Sequence, residues 1–217
     1  MEIRRDRYLD ALIERKHNGL VKVITGVRRC GKSYLLNHLF YQHLINSGID
    51  SDHIIRFAFD SAEDLQRIGE NLIAMKKEDR LADPEKFVSF IRDKIADEGM
   101  HYLLLDEIQM LNCFEAVLNG YLRQDNLDVY VTGSNAKLLS KEIATEFAGR
   151  GDEIHMYPLS FAEFMSVYPG DRHEGLSEYM LYGGIPLVVL RERKDEKAAM
   201  LENLFAEIYM RDITKRN

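Results

Sequence analysis

The sequence has few cysteines and no long apolar run. Its two cysteines, Cys30 and Cys113, lie far apart and show none of the spacings of a disulfide framework or a zinc site. Its seven histidines also lack metal-ligand spacing, and we assign none of them to a site. No apolar run approaches the roughly 18 residues that a membrane helix needs, and the first ten residues lack the apolar stretch of a secretory signal. We therefore expect a cytoplasmic protein without a membrane partner.

Basic residues are also in deficit. The 29 lysines and arginines are outnumbered by 36 aspartates and glutamates, which gives a net charge of −7. Proteins that wrap nucleic acid usually carry a basic surplus, because neutralising phosphates supplies most of their affinity. The acidic balance therefore counts against such a role, although Arg4, Arg5 and Arg7 leave a local basic patch and a DNA partner open.

Predicted strands and helices alternate along most of the chain. Short apolar runs, often β-branched, predict strands at the following residues: 20–25, 53–59, 102–105, 129–132 and 154–157. This alternation is typical of a parallel sheet with helices on both faces, the α/β class. After Pro158 the pattern is helical alone. We predict a core at residues 1–158 and a small helical lid at residues 159–217.

A phosphate-binding loop is the most specific motif. Residues 26–33 read GVRRCGKS and fit the pattern G-x-x-x-x-G-K-[ST], between a predicted strand and a predicted helix over 32–45. Glycines let backbone N–H groups turn toward an anion, the lysine brings a mobile positive charge to the β- and γ-phosphates, and the serine hydroxyl reaches Mg²⁺. The helix adds its positive dipole end. We predict a P-loop NTPase fold that binds ATP through Gly26, Arg29, Cys30, Gly31, Lys32, Ser33 and Tyr34.

A second motif supplies carboxylates. The apolar predicted strand at residues 102–105 ends at Asp106 and Glu107, and ligands of α/β proteins sit at the carboxyl ends of the strands. We predict that Asp106 holds Mg²⁺ together with Ser33, directly or through water. Glu107 is the predicted general base, placed to polarise the attacking water, and Lys32 completes this catalytic set.

Small polar residues follow another predicted strand, at residues 129–132. If this strand lies between the strand that enters the glycine loop and the strand that ends in the acidic pair, Ser134 or Asn135 can reach the γ-phosphate or the water. Both are therefore candidate catalytic residues. A plain turn from strand to loop is the alternative.

Arg150 lies between two glycines on a predicted loop. An arginine on such a loop can stabilise charge on the transferring phosphoryl group, including in a neighbouring subunit. We list Arg150 as a candidate catalytic residue. The alternative is an ordinary loop arginine that pairs with Glu146 or Asp152.

Taken together, these motifs resemble a bacterial and archaeal family of AAA-type ATPases within the AAA+ superfamily. The resemblance rests on VITGVRRCGKSYLL, LLLDEIQ, VTGSNAKLLSKEI, AGR followed by YPLSFAEF, and YGGIP. It implies an ATPase core with Asp106 and Glu107 as the acidic pair, Ser134 and Asn135 at the sensor position, and Arg150 in a glycine–arginine element. Such proteins usually continue into a winged-helix-like segment and a C-terminal domain of unknown or nuclease-like function, so we expect this chain to be truncated.

These features predict a magnesium-dependent ATPase that acts as a regulatory switch. We expect slow hydrolysis in a chain of this length, and a homo-oligomer. Two alternatives stay open: a small-molecule kinase that uses the same loop, and a nucleotide-binding scaffold associated with DNA. Glu107 directly after Asp106 favours activation of water over transfer to an acceptor. The sequence has no N-K-x-D segment, which counts against a guanine-specific switch.

Overall fold

The computed structural model describes residues 3–133 and 149–212, with side chains up to residue 206. Its strands are β1 (Val21–Gly26), β2 (Ile54–Ala58), β3 (His101–Asp106), β4 (Leu127–Thr132) and β5 (Gly151–Met156). They form one sheet in the order β2-β3-β4-β1-β5, and every neighbouring pair is parallel. The predicted α/β class, with a parallel sheet flanked by helices, is confirmed.

In the described parts of the chain, helices precede, separate and follow these strands. Before β5, they are α1 (Asp6–Glu14), α2 (Lys32–Tyr34), α3 (Tyr41–Asn46), α4 (Ala62–Arg67), α5 (Leu72–Lys77), α6 (Pro84–Lys94) and α7 (Phe114–Tyr121). After β5, they are α8 (Phe161–Met165), α9 (Arg172–Tyr182), α10 (Pro186–Val189) and α11 (Lys194–Asp212). In the ranges 3–133 and 149–212, none combines the length and apolar character of a membrane-spanning helix.

The helical segment after the glycine loop departs from the prediction of one uniform helix. Between α2 and α3 the backbone forms a π-helical turn, Leu35–Phe40. Its widened i→i+5 hydrogen bonding is rare, and such turns are frequent at functional sites. Three of its side chains are buried: Leu35, Leu36 and Phe40.

Side-chain caps decide where several short helices begin. Asp83 accepts hydrogen bonds from the backbone N–H groups of Glu85 and Lys86 and so caps α6. Ser61 and Asn71 cap α4 and α5 in the same way. These side chains accept hydrogen bonds from the backbone N–H groups at the starts of the helices. The starts are therefore defined even where the apolar residues show no clear helical period.

The main hydrophobic core includes side chains of β2 and β3 and of the helices packed against them. Phe57, Phe59 and Phe87 form mutual ring contacts with centroids 4.8–5.1 Å apart, and all three are at most 1% exposed. Every residue of β3 is buried. Strands buried on both faces are typical of parallel sheets, because helices cover each side.

The chain divides into two compact units. The larger comprises Asp6–Val27 and Lys32–Met156 and contains the sheet. The smaller comprises Met1–Arg5, Arg28–Gly31 and Tyr157–Asn217, and its described regular elements are helices. Within the smaller unit, Ser160 and Glu163 form a capping box at the start of α8.

Candidate functional site

Three chain segments named by the sequence motifs end side by side in the larger unit. Strand β4 lies between β1 and β3, and in register Ile24 pairs with Thr132 and Leu105 with Val131. Because the strands are parallel, Gly26, Asp106 and Thr132 lie at the same edge of the sheet. This is the strand order on which the proposed role of Ser134 and Asn135 depended. Those two residues themselves lie outside the described part of the chain.

Backbone geometry sets the glycine loop apart from an ordinary turn. Gly31 has a backbone φ of 103°, which residues with a Cβ atom rarely adopt. Arg29 also has a positive φ, 63°. Helix α2 begins immediately after Gly31. The loop therefore passes directly into a helix N-terminus, as an anion-binding loop requires.

Lys32 folds back over the loop that precedes it. Its side chain is buried, and Nζ donates hydrogen bonds to the carbonyl oxygens of Gly26 at 3.0 Å and Val27 at 3.2 Å. No carboxylate in the described residues forms an ion pair with it. A buried ammonium group held by neutral carbonyls alone has an unmet preference for a negative charge.

Asp106 has the complementary arrangement. It is 5% exposed; its Oδ1 accepts a short hydrogen bond from Thr132 Oγ1, and its Oδ2 accepts one from Asn37 Nδ2 at 3.2 Å. Both donors are neutral, and no Lys, Arg or His of the described residues pairs with this carboxylate. Carboxylate oxygens are the ligands that Mg²⁺ prefers, so the group fits a dication at this position.

Glu107 adopts a left-handed backbone conformation, with φ 53° and ψ 48°. Its N–H donates to Thr132 Oγ1 at 3.1 Å, and its Oε2 accepts a short hydrogen bond from Gln109 Nε2. A non-glycine residue in this conformation is strained by about 1 kcal/mol or more and persists only where its surroundings hold it. Thr132 therefore orients both members of the acidic pair.

A third carboxylate, which the sequence gave no reason to single out, lies near this pair. Asp60 follows β2, and Ala58 of that strand pairs with Asp106 in register. Partial desolvation, and then the negative charge of Asp106, raise the pKa of Asp60 above its usual value. Repulsion between two carboxylates at a strand edge is relieved by a bound cation.

The remaining predicted loop residues have more varied surroundings. Ser33 is exposed in the first turn of α2. Tyr34 is 41% exposed and stacks on His38 with ring centroids 4.8 Å apart. Arg29 Nη1 lies 3.9 Å from Met200 Sδ. The predicted nucleotide contacts of these residues remain predictions.

Cys30 and Arg5 lie together in the smaller unit. Cys30 is fully buried, and its carbonyl oxygen accepts a hydrogen bond from Arg5 Nη1 at 3.0 Å. Arg5 is only 3% exposed and also contacts Tyr157 and Glu163. The suggestion that Arg5 belongs to a basic surface patch is therefore wrong: its guanidinium is buried against these partners, whereas Arg4 and Arg7 are exposed.

Arg150 does not lie beside Lys32 and Glu107 in its own chain. Its carbonyl accepts from the N–H of Val21, the first residue of β1, and its Nη1 donates to Asn119 Oδ1 at 3.1 Å. Val21 and Gly26 are separated by the length of β1, roughly 17 Å. The predicted partner Asp152 instead pairs with Arg15 at 2.9 Å. This distance counts against a direct role in the same chain, and a role in a neighbouring subunit stays a prediction.

Comparison with known families gives a specific match. The family model described as an AAA domain matches residues 18–165. An uncharacterised protein of Haemophilus influenzae is 36% identical over 220 residues. The match covers 99% of this chain and 51% of the Haemophilus protein. An uncharacterised protein of Methanocaldococcus jannaschii is 26% identical over 213 residues, covering 91% and 42%. The chain thus spans about half the length of these curated relatives.

Solved structures agree on the fold. A Walker-type ATPase of Pyrococcus abyssi superposes with a TM-score of 0.63 at 17% identity, covering 100% of this chain and 77% of its own. The ADP complex of Hsp104 from S. cerevisiae superposes with a TM-score of 0.52 at 17% identity, covering 84% and 26%. The predicted P-loop NTPase fold is confirmed.

Proposed function

The chain belongs to the AAA domain family, and we propose that it binds ATP with Mg²⁺ and hydrolyses it as a regulatory switch. The observation that carries this proposal is a pair of complementary charges at one edge of the sheet. Among the residues that the structure describes, Lys32 is a buried cation bonded only to carbonyls, and Asp106 is a buried anion bonded only to neutral donors. A triphosphate would give Lys32 a negatively charged partner, and Mg²⁺ would give Asp106 a positively charged one.

Each residue has a distinct task in this proposal. Lys32 exchanges its carbonyl partners for β- and γ-phosphate oxygens, since charge-assisted hydrogen bonds are stronger than neutral ones. Asp106, kept in place by Thr132 and Asn37, and the Ser33 hydroxyl hold Mg²⁺, whose charge offsets that of the phosphates. The backbone N–H groups of the loop and the N-terminus of α2 hold the phosphate anions.

Glu107 is the proposed general base. Gln109 holds Oε2 of its carboxylate, which leaves Oε1 to accept a proton from the attacking water. The backbone N–H of Glu107 donates to Thr132, whose hydroxyl also bonds Asp106, so Thr132 holds Glu107 next to the residue that would bind Mg²⁺. This arrangement supports water activation over the alternative of phosphoryl transfer to a small-molecule acceptor.

Two substitutions separate binding from chemistry. Lys32→Ala removes the best-placed cation, and we expect ATP binding, measured by isothermal titration calorimetry, to be largely lost. Glu107→Gln keeps the shape of the side chain but not its basicity, so ATP should bind while phosphate release falls by roughly 100- to 10,000-fold. Lys77→Ala, at an exposed helix position, is the matched control.

The same assay distinguishes the alternatives. GTP that binds as tightly as ATP contradicts adenine preference, and native ATP affinity in Lys32→Ala contradicts the loop assignment. Unchanged phosphate release in Glu107→Gln would place the base elsewhere and reopen the question of which alternative applies. A scaffold associated with DNA predicts nucleotide binding without turnover, whether or not DNA is added.

A further inference from the structure

Two histidines and an aspartate converge at the opposite edge of the sheet from Lys32 and Asp106. His53 is the last residue of the turn Ser51–His53 that precedes β2, and His101 is the first residue of β3. Asp97 lies in the connection between α6 and β3. Their candidate ligand atoms all lie within 4.8 Å of one another. Forty-four positions separate His53 from Asp97 in the sequence, so the cluster arises only from the parallel pairing of β2 with β3.

The hydrogen bonds of the cluster leave one ring nitrogen of His101 available. His101 is 1% exposed, and its Nδ1 lies 2.7 Å from the carbonyl oxygen of Gly99, to which it donates. That bond fixes the tautomer in which Nε2 carries a lone pair, as backbone carbonyls do for metal-binding histidines. No residue in the described part of the chain forms a hydrogen bond with this Nε2.

His53 and Asp97 complete the set. His53 Nε2 lies 3.1 Å from both carboxylate oxygens of Asp97, and its ring meets the ring of His101 edge-on with centroids 4.6 Å apart. In a tetrahedral site with bonds of about 2.1 Å, ligand atoms are about 3.4 Å apart. The His53–Asp97 separation already suits that geometry, and the exposed Asp97 can rotate to adjust the others.

Gly99 leaves the space between these ligands open. A Cβ at this position would lie 2.8 Å from Asp97 Oδ1 and 3.1 Å from His53 Nε2. The N–H of Gly99 also donates to Asp97 Oδ1 at 2.7 Å. The backbone of Gly99 thus orients the carboxylate of Asp97 and the ring of His101, and the absence of a side chain leaves the space between the ligands open.

We propose that His53, Asp97 and His101 bind a transition-metal dication of the Zn²⁺ class. Two imidazole nitrogens and one carboxylate oxygen suit Zn²⁺, Co²⁺ or Ni²⁺, whereas Mg²⁺ and Ca²⁺ prefer oxygen ligands alone. Asp97 is exposed, so the fourth position is open to water. The metal ties the turn before β2 to the connection before β3, and metal binding therefore raises thermal stability.

Cobalt is the most informative probe, because its visible spectrum reports the ligands. Co²⁺ added to the nucleotide-free chain should bind at one ion per chain and give d–d absorption without a thiolate charge-transfer band. His53→Ala and Asp97→Ala should each weaken binding by at least about tenfold. His173→Ala, an exposed histidine outside the cluster, and Lys32→Ala should bind Co²⁺ as the parent chain does.

Gly99→Ala places a Cβ in the space between the ligands while all three ligands stay intact. This variant too should weaken Co²⁺ binding. His101→Ala removes a buried side chain, so the decision rests on the more exposed His53 and Asp97. Binding that His53→Ala and Asp97→Ala leave unchanged overturns the proposal. So does a thiolate band, which would place the ion on a cysteine. If no ion binds, the cluster is only a hydrogen-bonded contact between two chain segments.

Discussion

Arg5 donates a hydrogen bond from Nη1 to the carbonyl oxygen of Cys30 at 3.0 Å, across 25 residues of sequence. Its Nη2 reaches the carbonyl of Tyr157 at 2.6 Å, and its Nε forms an ion pair with Glu163 at 2.9 Å, although that contact lies outside hydrogen-bond geometry. Cys30 is the residue before the second glycine of the predicted phosphate loop. One buried guanidinium therefore fixes the backbone of that loop inside the smaller unit.

We expect Arg5→Met to destabilise the chain and to weaken ATP binding. Methionine keeps much of the apolar volume but leaves the carbonyls of Cys30 and Tyr157 and the carboxylate of Glu163 without their charged partner. We expect a loss of roughly 3 kcal/mol in the free energy of unfolding. Denaturant melts and calorimetric ATP titrations measure the two effects. Arg4→Met, at an exposed position, should change neither. Native ATP affinity in Arg5→Met would show that the loop holds its shape without this contact.

Thr132→Val should reduce hydrolysis more than binding. The substitution keeps the shape of the side chain but removes the hydroxyl that donates to Asp106 and accepts from the N–H of Glu107. An unpaired buried N–H costs about 1–3 kcal/mol, and a displaced general base lowers turnover on the order of 10- to 100-fold. Thr132→Ser restores the hydroxyl and should recover most of the activity. Equal phosphate release by the two variants is the result that contradicts this role.

We predict that Asp60 makes the free energy of unfolding depend on pH, and that bound Mg²⁺ suppresses this dependence. The pKa of Asp60 is raised in the folded chain, so the folded state holds the proton more tightly than the unfolded state does. Its contribution to stability therefore falls as the pH rises from the usual aspartate value through the raised value. Asp60→Asn should be slightly more stable than the parent chain at neutral pH without Mg²⁺.

The difference should vanish in acid, where both states are protonated, and should shrink when Mg²⁺ and ATP are added. Denaturant melts over a pH series, with and without Mg²⁺ and ATP, provide the measurement. Asp125→Asn, in an exposed loop, controls for a general change in net charge. A Mg²⁺-independent difference between Asp60→Asn and the parent chain would mean that the ion does not bind near Asp60.

We predict that Arg150 acts in hydrolysis on the site of another subunit, because it lies beside the start of β1 rather than its end. Arg150→Ala should then bind ATP normally while hydrolysis falls by a factor on the order of 1,000. Mixing Arg150→Ala with Lys32→Ala should restore part of the activity, since each supplies what the other lacks. Unchanged turnover in Arg150→Ala, with an unchanged melting temperature, removes Arg150 from the catalytic list.

Local sequence was sufficient to predict the strands and the motif residues. All five strands overlap the predicted ones, because each is a short apolar run bounded by turn residues. The alternation predicted parallel strands but not their order, so the position of β4 between β1 and β3 was only a condition until the structure showed it. The loop and the acidic pair were recognised because their spacing along the chain is itself the signature.

Contacts that depend on tertiary packing had no such signature. Asn37 reaches Asp106 from the π-helical turn, which a regular helical period does not predict. Lys22 is a charged residue within an apolar strand, and the structure shows it buried in an ion pair with Asp128 of β4. His53 and His101 show no ligand spacing along the sequence, because only the pairing of β2 with β3 brings them together.

The complete burial of β3 has a consequence for the order in which this domain opens. A strand shielded on both faces and hydrogen-bonded on both sides exchanges its amide hydrogens only when the whole sheet comes apart, whereas exposed turns exchange through small local fluctuations. Asp106 stands at one end of this buried strand and His101 at the other. We therefore expect the residues of both proposed sites that lie on β3 to be held by a part of the sheet that opens late.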